Sequence, residues 1–337
     1  MKQNDFSKSL TDFLIKYLPA ERGMSGNTIA SYKMTFILLI SFMQDEKAIQ
    51  AHQLMFKHFT KACIEQFLNH LETVRKCCAS TRNARLAALH SFFTYVQYEY
   101  PEYIDECSKI LSIKVKRTKR ESINYLTIEG MKLLFEQPDL STRKGVRDLA
   151  LLALMYDTGA RVQEIIDTTP SSLRFDKPYT IKLIGKGTKA RIVPLMEEQI
   201  VHLKYYIDRN NLMDNGKNLY PLFYNHRKEK LTRAGVNHIL QCYTAIAKKK
   251  NATLIPDKIS PHSLRHSKAM HLLQAGVNLV YIRDILGHES VTTTELYARV
   301  DSKQKREAIE KAFVNVVKKE SPMWVDNDGL LQWLKSF

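Results

Sequence analysis

The feature that most constrains this chain is a run of fourteen residues, KILSIKVKRTKRES at 109–122, with six basic residues, one acid and no helical stripe. It reads as an interdomain linker. The 337 residues therefore divide into a shorter segment before it and a longer one after it, each able to bury its own core. Before the linker the period is helical throughout. Phe6, Leu10, Phe13, Leu14, Tyr17 and Leu18 recur at helix spacing until Gly23 and Gly26 interrupt them. Asn27 or Thr28 is placed to cap a second helix, with Ile29, Tyr32, Phe36, Ile40 and Met43 on one stripe. Thr60 opens a third, burying Ile64, Phe67, Leu68 and Leu71, and Ser80 a fourth, burying Leu86, Leu89, Phe92, Phe93 and Val96. The polar side of the fourth helix holds Arg82, Asn83 and Arg85, which suit phosphate groups or a solvated face.

After the linker, Thr127 with Met131, Leu133, Leu134 and Phe135 predicts a short helix, and Val146 to Thr158 a buried one stopped by Gly159. The segment TIKLIGKGTKARIVPL at 180–195 predicts two β-rich runs around a Gly-Lys-Gly turn, a hairpin signature. The rest returns to helices. The expected fold is mainly α with a small β-sheet or hairpin, in two domains: helical 1–108, linker 109–122, mixed α/β 123–310 and a tail at 311–337.

A net charge of +16 favours a polyanionic partner, because each neutralised phosphate releases condensed counterions. Lys114, Lys116, Arg117, Lys119 and Arg120 of the linker are candidates to lie along a phosphate backbone, an ordinary exposed connector being the other reading. The five cysteines form no CxxC pair and have no histidines at zinc-ligand spacing, so they read as reduced intracellular thiols. The N-terminus lacks an apolar signal core, and the apolar run Leu149 to Tyr156 spans only eight residues, so a cytoplasmic protein without a membrane partner is expected.

The chemistry-bearing pattern lies between Ser260 and Val300. Ser260-Pro261 predicts a helix start, and His262 and Arg265, three residues apart, share its face. Leu286-Gly287-His288 ends a short helix on a glycine cap. Thr292 and Glu295 form a T-x-x-E capping box for a helix carrying Tyr297.

HSLRH at 262–266 followed by LGHESVTTTELYARV at 286–300 resembles the tyrosine recombinase (phage integrase) family, whose pattern is H-x-x-R, then L-G-H, then a tyrosine nine residues on. TGARVQE at 158–164 is similar to the family's first-arginine box, and GKGTKAR at 185–191 to its catalytic-lysine turn. These ordered pieces span most of 120–300. The helical N-terminal half resembles the family's SAM-like core-binding domain more weakly. The resemblance implies a C-shaped clamp on DNA and an active site of Arg161, Lys186, His262, Arg265, His288 and Tyr297, with Glu164 orienting the basic groups. Lys189 competes with Lys186 as general acid.

Phosphodiester chemistry suits this inventory. It needs an in-line nucleophile, neutralised non-bridging oxygens and a proton for the leaving oxygen. Arg161 and Arg265 offer planar forks of donors to the phosphate. Lys186 can protonate the 5′ oxygen, His262 can assist the tyrosine proton, and His288 can hydrogen-bond the phosphate. Tyr297 would form a 3′-phosphotyrosine bond. Taken singly, each residue has a blander role: Arg161 as a partner of Glu164 or Asp167, Lys186 as a turn lysine, the histidines and Tyr297 as packing. Four ordered pieces together outweigh that. Side-chain cations replace Mg²⁺, and no GxxxxGK[ST] loop is present, so neither metal nor nucleotide cofactor is expected.

The resemblance implies double-stranded DNA recombination sites and a homo-tetramer as partners, with a paralogous recombinase and accessory DNA-bending proteins left open. Two alternatives remain: a silent DNA-binding architectural homologue, and a type IB topoisomerase-like enzyme that nicks and reseals one duplex. There are two departures from the pattern. Lys268 stands where an apolar residue is common. Forty residues follow Tyr297, with Trp324, Leu330, Leu331, Trp333, Leu334 and Phe337 able to dock on a neighbouring protomer or fold back on their own domain. The long tail tilts the reading toward a mobile element.

Overall fold

The computed structural model describes residues 5–118, 123–213, 216–300 and 330–336. The chain divides into two compact units, Met1–Glu121 and Ser122–Phe337.

The first unit is helical. α1 (Asp5–Asp12) passes into a π-helical stretch, Phe13–Glu21, that contains Pro19. α2 (Gly26–Lys47), α3 (Lys61–Thr73), α4 (Ala79–Glu99) and α5 (Ile104–Leu111) follow. Thr60 caps α3 as expected, accepting the Cys63 N–H. Ser25, not Asn27 or Thr28, caps α2, and α4 starts one residue ahead of Ser80. The core is aromatic: the ring of Phe92 meets Phe36 and Phe13 edge to face at 5.0 and 5.2 Å. Each such buried ring contributes about 1.5–3 kcal/mol through burial.

One expectation fails in this unit, and a second set of residues is held differently from a free polar face. The basic run does not begin a free connector at Lys109: α5 extends to Leu111, and Ile110 and Ile113 are buried in the core. The polar residues of α4 are also engaged within the unit. Arg82 is only 5% exposed and donates to the Lys114 carbonyl at 3.1 Å. Asn83 accepts the Lys116 N–H at 3.0 Å and donates to its carbonyl at 2.8 Å. Arg85 donates to the Ser31 carbonyl at 2.9 Å. The cause is that the chain leaving α5 has no ladder to satisfy its backbone, and an amide side chain offers both donor and acceptor. Lys116 pairs with Glu72 at 2.6 Å, while Lys114 and Arg117 point outward. Lys119 and Arg120 lie outside the described residues.

The second unit is built around α7 (Arg143–Thr158), which is buried from Asp148 through Met155. Around it lie α6 (Ile128–Phe135), α8 (Val162–Ile166), α9 (Glu197–Arg209) and α10 (Arg233–Lys250). The predicted hairpin is present, β2 (Thr180–Ile184) and β3 (Ala190–Pro194), joined by a third strand, β1 (Leu173–Arg174), in an antiparallel sheet of order β1-β2-β3. The register sets Leu183 against Arg191 and Ile181 against Val193. Ile181, Leu183 and Val193 are buried, so strand alternation points Arg191 inward with them.

α11 (Pro261–Gln274), α12 (Leu279–Leu286) and α13 (Val291–Val300) enclose a smaller core of Ala269, Met270, Leu273, Ile282, Leu286 and Tyr297. The cap of α13 is Ser290, whose hydroxyl accepts the Thr292 N–H at 3.1 Å, rather than the expected Thr292–Glu295 box. A last helix, α14, covers Leu330–Lys335. Of the tail residues named above, Leu334 is exposed. Trp324 and Phe337 lie outside the described residues, as do the side chains of Leu330, Leu331 and Trp333.

Candidate active site

The site begins where α7 ends. Gly159 caps that helix in the left-handed region, φ +57°, and a Cβ there would meet Leu286 Cδ2 at 2.6 Å. Only glycine satisfies both demands. Its carbonyl accepts Arg265 Nη1 at 2.8 Å, which fixes one half of a guanidinium that is 4% exposed. The other half, Nη2, is buried with no hydrogen-bond partner among the described residues. An unpaired buried charged donor is costly, so this geometry favours an anion at Nη2. Burial and then the charge of Arg161 lower the Arg265 pKa to about 10, which leaves it cationic at neutral pH.

Arg161 precedes α8. Its N–H and Nη1 donate to Glu164 Oε2 and Oε1 at 2.8 and 2.9 Å, and Nη2 donates to the Gly287 carbonyl at 3.1 Å. Glu164 is buried and also receives Arg191 Nη1 and Nη2 at 2.9 and 2.7 Å, while Arg191 Nε donates to the Ile285 carbonyl. Burial alone would raise the Glu164 carboxyl. The Arg191 guanidinium and the bonds from Arg161 outweigh that and hold it below its ordinary value. One carboxylate thus joins α8, β3 and, through the two arginines, the end of α12. Sequence reasoning gave Arg191 no role, although its parity with Val193 on β3 was a signal.

The hairpin turn lies against this carboxylate, since a Cβ on Gly185 would meet Glu164 Oε1 at 3.1 Å. Lys186 begins the turn, and its side chain is outside the described residues. Lys189, its competitor, is exposed and pairs with Glu289 at 3.7 Å.

On the other side, α11 carries His262, Arg265 and His266, spaced to share one face. The Tyr297 ring is 3% exposed, and its hydroxyl hydrogen-bonds His266 Nδ1 at 3.0 Å. Burial raises the Tyr297 pKa and Arg265 partly offsets it, so the phenol keeps its proton at neutral pH. The His288 ring stacks on Tyr297, centroids 6.4 Å apart, and its Nδ1 is 2.9 Å from Thr294 Oγ1. Burial, followed by Arg265 and Arg161, depresses the His288 pKa to about 4. His262 is exposed, with its ring 6.3 Å from that of His266.

The structure therefore gathers Arg161, Glu164, Arg265, His288 and Tyr297, with His262 at the rim, and adds Arg191 and His266. Lys268 is not on an outward face: it pairs with Asp157 at 3.1 Å over the Tyr156 ring. Among the described residues no group of three or more His, Cys, Asp or Glu side chains is arranged to hold a metal ion. What the cluster offers chemically is three guanidiniums, neutral imidazoles and a buried phenol, a set matched to an anionic phosphodiester.

Comparison with known proteins points the same way. Residues 124–304 match the model of the phage integrase family, and residues 11–99 that of the phage integrase N-terminal SAM-like domain. The chain is 33% identical over 335 residues to a protein of Sinorhizobium fredii named as an integrase/recombinase, covering 99% of each. It is 30% identical to the tyrosine recombinase XerD of Listeria innocua, over 86% of this chain and 94% of that one. The solved structure of the XerH site-specific recombinase bound to difH substrate shares the fold, with a TM-score of 0.66 at 23% identity over 89% of this chain and 84% of that one.

Proposed function

Because the chain belongs to the phage integrase family of tyrosine recombinases, enzymes that cleave and rejoin DNA, we propose that Tyr297 is its nucleophile and that Arg161, Arg265, His262, His288 and a hairpin lysine serve the reacting phosphate. The observation that carries this assignment is the buried guanidinium of Arg265, its Nη2 unpartnered, in the same cluster as the buried hydroxyl of Tyr297. The tyrosine oxygen attacks phosphorus, the bond to the 5′ oxygen breaks, and a 3′-phosphotyrosine and a free 5′ hydroxyl result. Rejoining is the reverse step with a second strand. Arg161 and Arg265 neutralise the non-bridging oxygens, His262 and His288 hydrogen-bond them, and Lys186, or Lys189, protonates the leaving oxygen. Glu164 holds Arg161 in place.

The substrate is a pair of double-stranded DNA sites in the cytoplasm, exchanged by a homo-tetramer through a Holliday junction. The XerH structure and the lambda integrase structure, the latter bound to a COC′ core site, are DNA complexes and support the choice of DNA as substrate. Exposed Lys114 and Arg117 add phosphate contacts, the C-terminal tail docks on the neighbouring protomer, and the biological setting is a mobile element.

The test is to trap covalent adducts with detergent from a library of duplexes with randomised inverted repeats, then sequence the trapped DNA. The wild-type protein should enrich one sequence, and Tyr297→Phe should bind that duplex yet form no adduct. An adduct with the phenylalanine variant, or none with wild type, refutes the assignment.

A further inference from the structure

We propose that His266, rather than His262, takes the phenolic proton of Tyr297 during attack. This rests on the reading of Tyr297 as nucleophile. The geometry is direct: His266 Nδ1 lies 3.0 Å from the tyrosine oxygen, whereas His262 makes no hydrogen bond to it among the described residues and sits exposed at the start of α11. The Tyr297 ring lies 5.7 Å from the His266 ring at an interplanar angle of 56°, an approach that lets a ring nitrogen address the hydroxyl.

The protonation states match the task. Desolvation, then His262 and Arg265, lower the His266 pKa to about 4, so its imidazole is neutral at pH 7 and holds a lone pair. The buried phenol is protonated, so a proton must move. Among the described residues, the charged and titratable groups around the pair are His262 and Arg265 on α11, Arg161 before α8, Glu164 on α8, Arg191 on β3 and His288 after α12. A phosphodiester between Arg161 and Arg265 offsets their charge and raises the basicity of His266 when the proton has to transfer. In the reacting tautomer the proton sits on Nε2. The bond from the tyrosine oxygen to phosphorus forms and the bond to the 5′ oxygen breaks. The phenolic proton passes to Nδ1, and the 5′ oxygen takes its proton from the hairpin lysine. Rejoining returns the His266 proton to the tyrosine.

The experiment compares wild type, His266→Ala, His266→Asn and His262→Ala on the duplex recovered above, following adduct formation from about pH 6 to 9. A second substrate carries sulfur at the 5′ bridging position, a leaving group that needs no proton. Both His266 variants should bind DNA normally and cleave about 10²–10⁴-fold more slowly, the scale of lost general-base catalysis. Their rates should climb about tenfold per pH unit as hydroxide replaces the base, and sulfur should not rescue them. His262→Ala should keep the flatter wild-type profile. Asparagine retains a hydrogen bond to the hydroxyl but takes no proton. A wild-type rate in His266→Asn therefore overturns the proposal, as do rescue by sulfur, an unchanged His266→Ala rate, or loss of DNA binding in both variants. A wild-type protein that forms no adduct refutes the underlying reading instead.

Discussion

Replacing Glu164 by glutamine is the sharpest test of how the site is held together. The carboxylate accepts four hydrogen bonds, from Arg161 N and Nη1 and from Arg191 Nη1 and Nη2, at 2.7–2.9 Å. Glutamine keeps the volume, but it turns an amide group toward those donors and leaves two guanidiniums without a counter-charge. Breaking a buried pair costs about 3–5 kcal/mol. Arg161 is 35% exposed on its side chain, so its share is screened, and Arg191, at 12%, carries most of the cost. We therefore expect a loss of about 3 kcal/mol, which is a drop in Tm of about 6–12 °C for a unit of this size.

The pH dependence fixes the sign. The Glu164 pKa is lower in the folded protein than its ordinary value of 4.5. Its stabilisation is full above that value and fades as pH falls through the folded pKa. Wild type and Glu164→Gln should differ most at pH 7 and converge in acid. Urea titrations of the full chain, followed by circular dichroism across this range, measure the gap. A gap under about 1 kcal/mol at pH 7 would refute the argument, since even one lost charge-assisted hydrogen bond exceeds it. So would a gap that does not change with pH.

Arg265→Ala removes the fork that projects Nη2, and adduct formation should fall by at least about 10²-fold while half-site binding changes little. Cleavage at the wild-type rate would make Arg265 a purely structural residue. Cleavage should also survive EDTA and need no nucleotide. Loss on chelation, restored by Mg²⁺ at fixed ionic strength, would place a metal in the mechanism.

Much of the fold was legible because its boundaries obey local rules. Thr60, Thr127 and Ser260-Pro261 start helices, and Gly159 and Gly287 stop them with φ at +57° and +66°. The failures occur where distant packing decides. Ile110 and Ile113 sit in a run whose charge masks their spacing, and only the core of the first unit shows that they belong to it. β1 is two residues long, too short for any alternation to register. Arg82 and Asn83 look like a solvent face until the chain returns thirty-odd residues later and uses them.

The site divides along the same line. The spacings from Arg161 to Tyr297 are sequence properties, and the structure brings the arginines, His288 and the tyrosine into one cluster. The division of labour among the histidines is not a sequence property. His262 and His266 are four apart on one helix face, and either could meet a hydroxyl arriving from α13. Tertiary packing makes the choice, and the turn at Gly287 is part of it: its φ is +66°, and its missing Cβ leaves room for Arg191, 2.8 Å from where a Cβ would stand. That close approach lets Arg191 reach both the Ile285 carbonyl and Glu164, tying the end of α12 to β3 and to the carboxylate that orients Arg161. The short link from His288 to Ser290 joins this anchored turn to the start of α13, on which the Tyr297 hydroxyl meets His266. A motif can specify the residues of such a site, whereas tertiary contacts specify which of them touches the tyrosine oxygen.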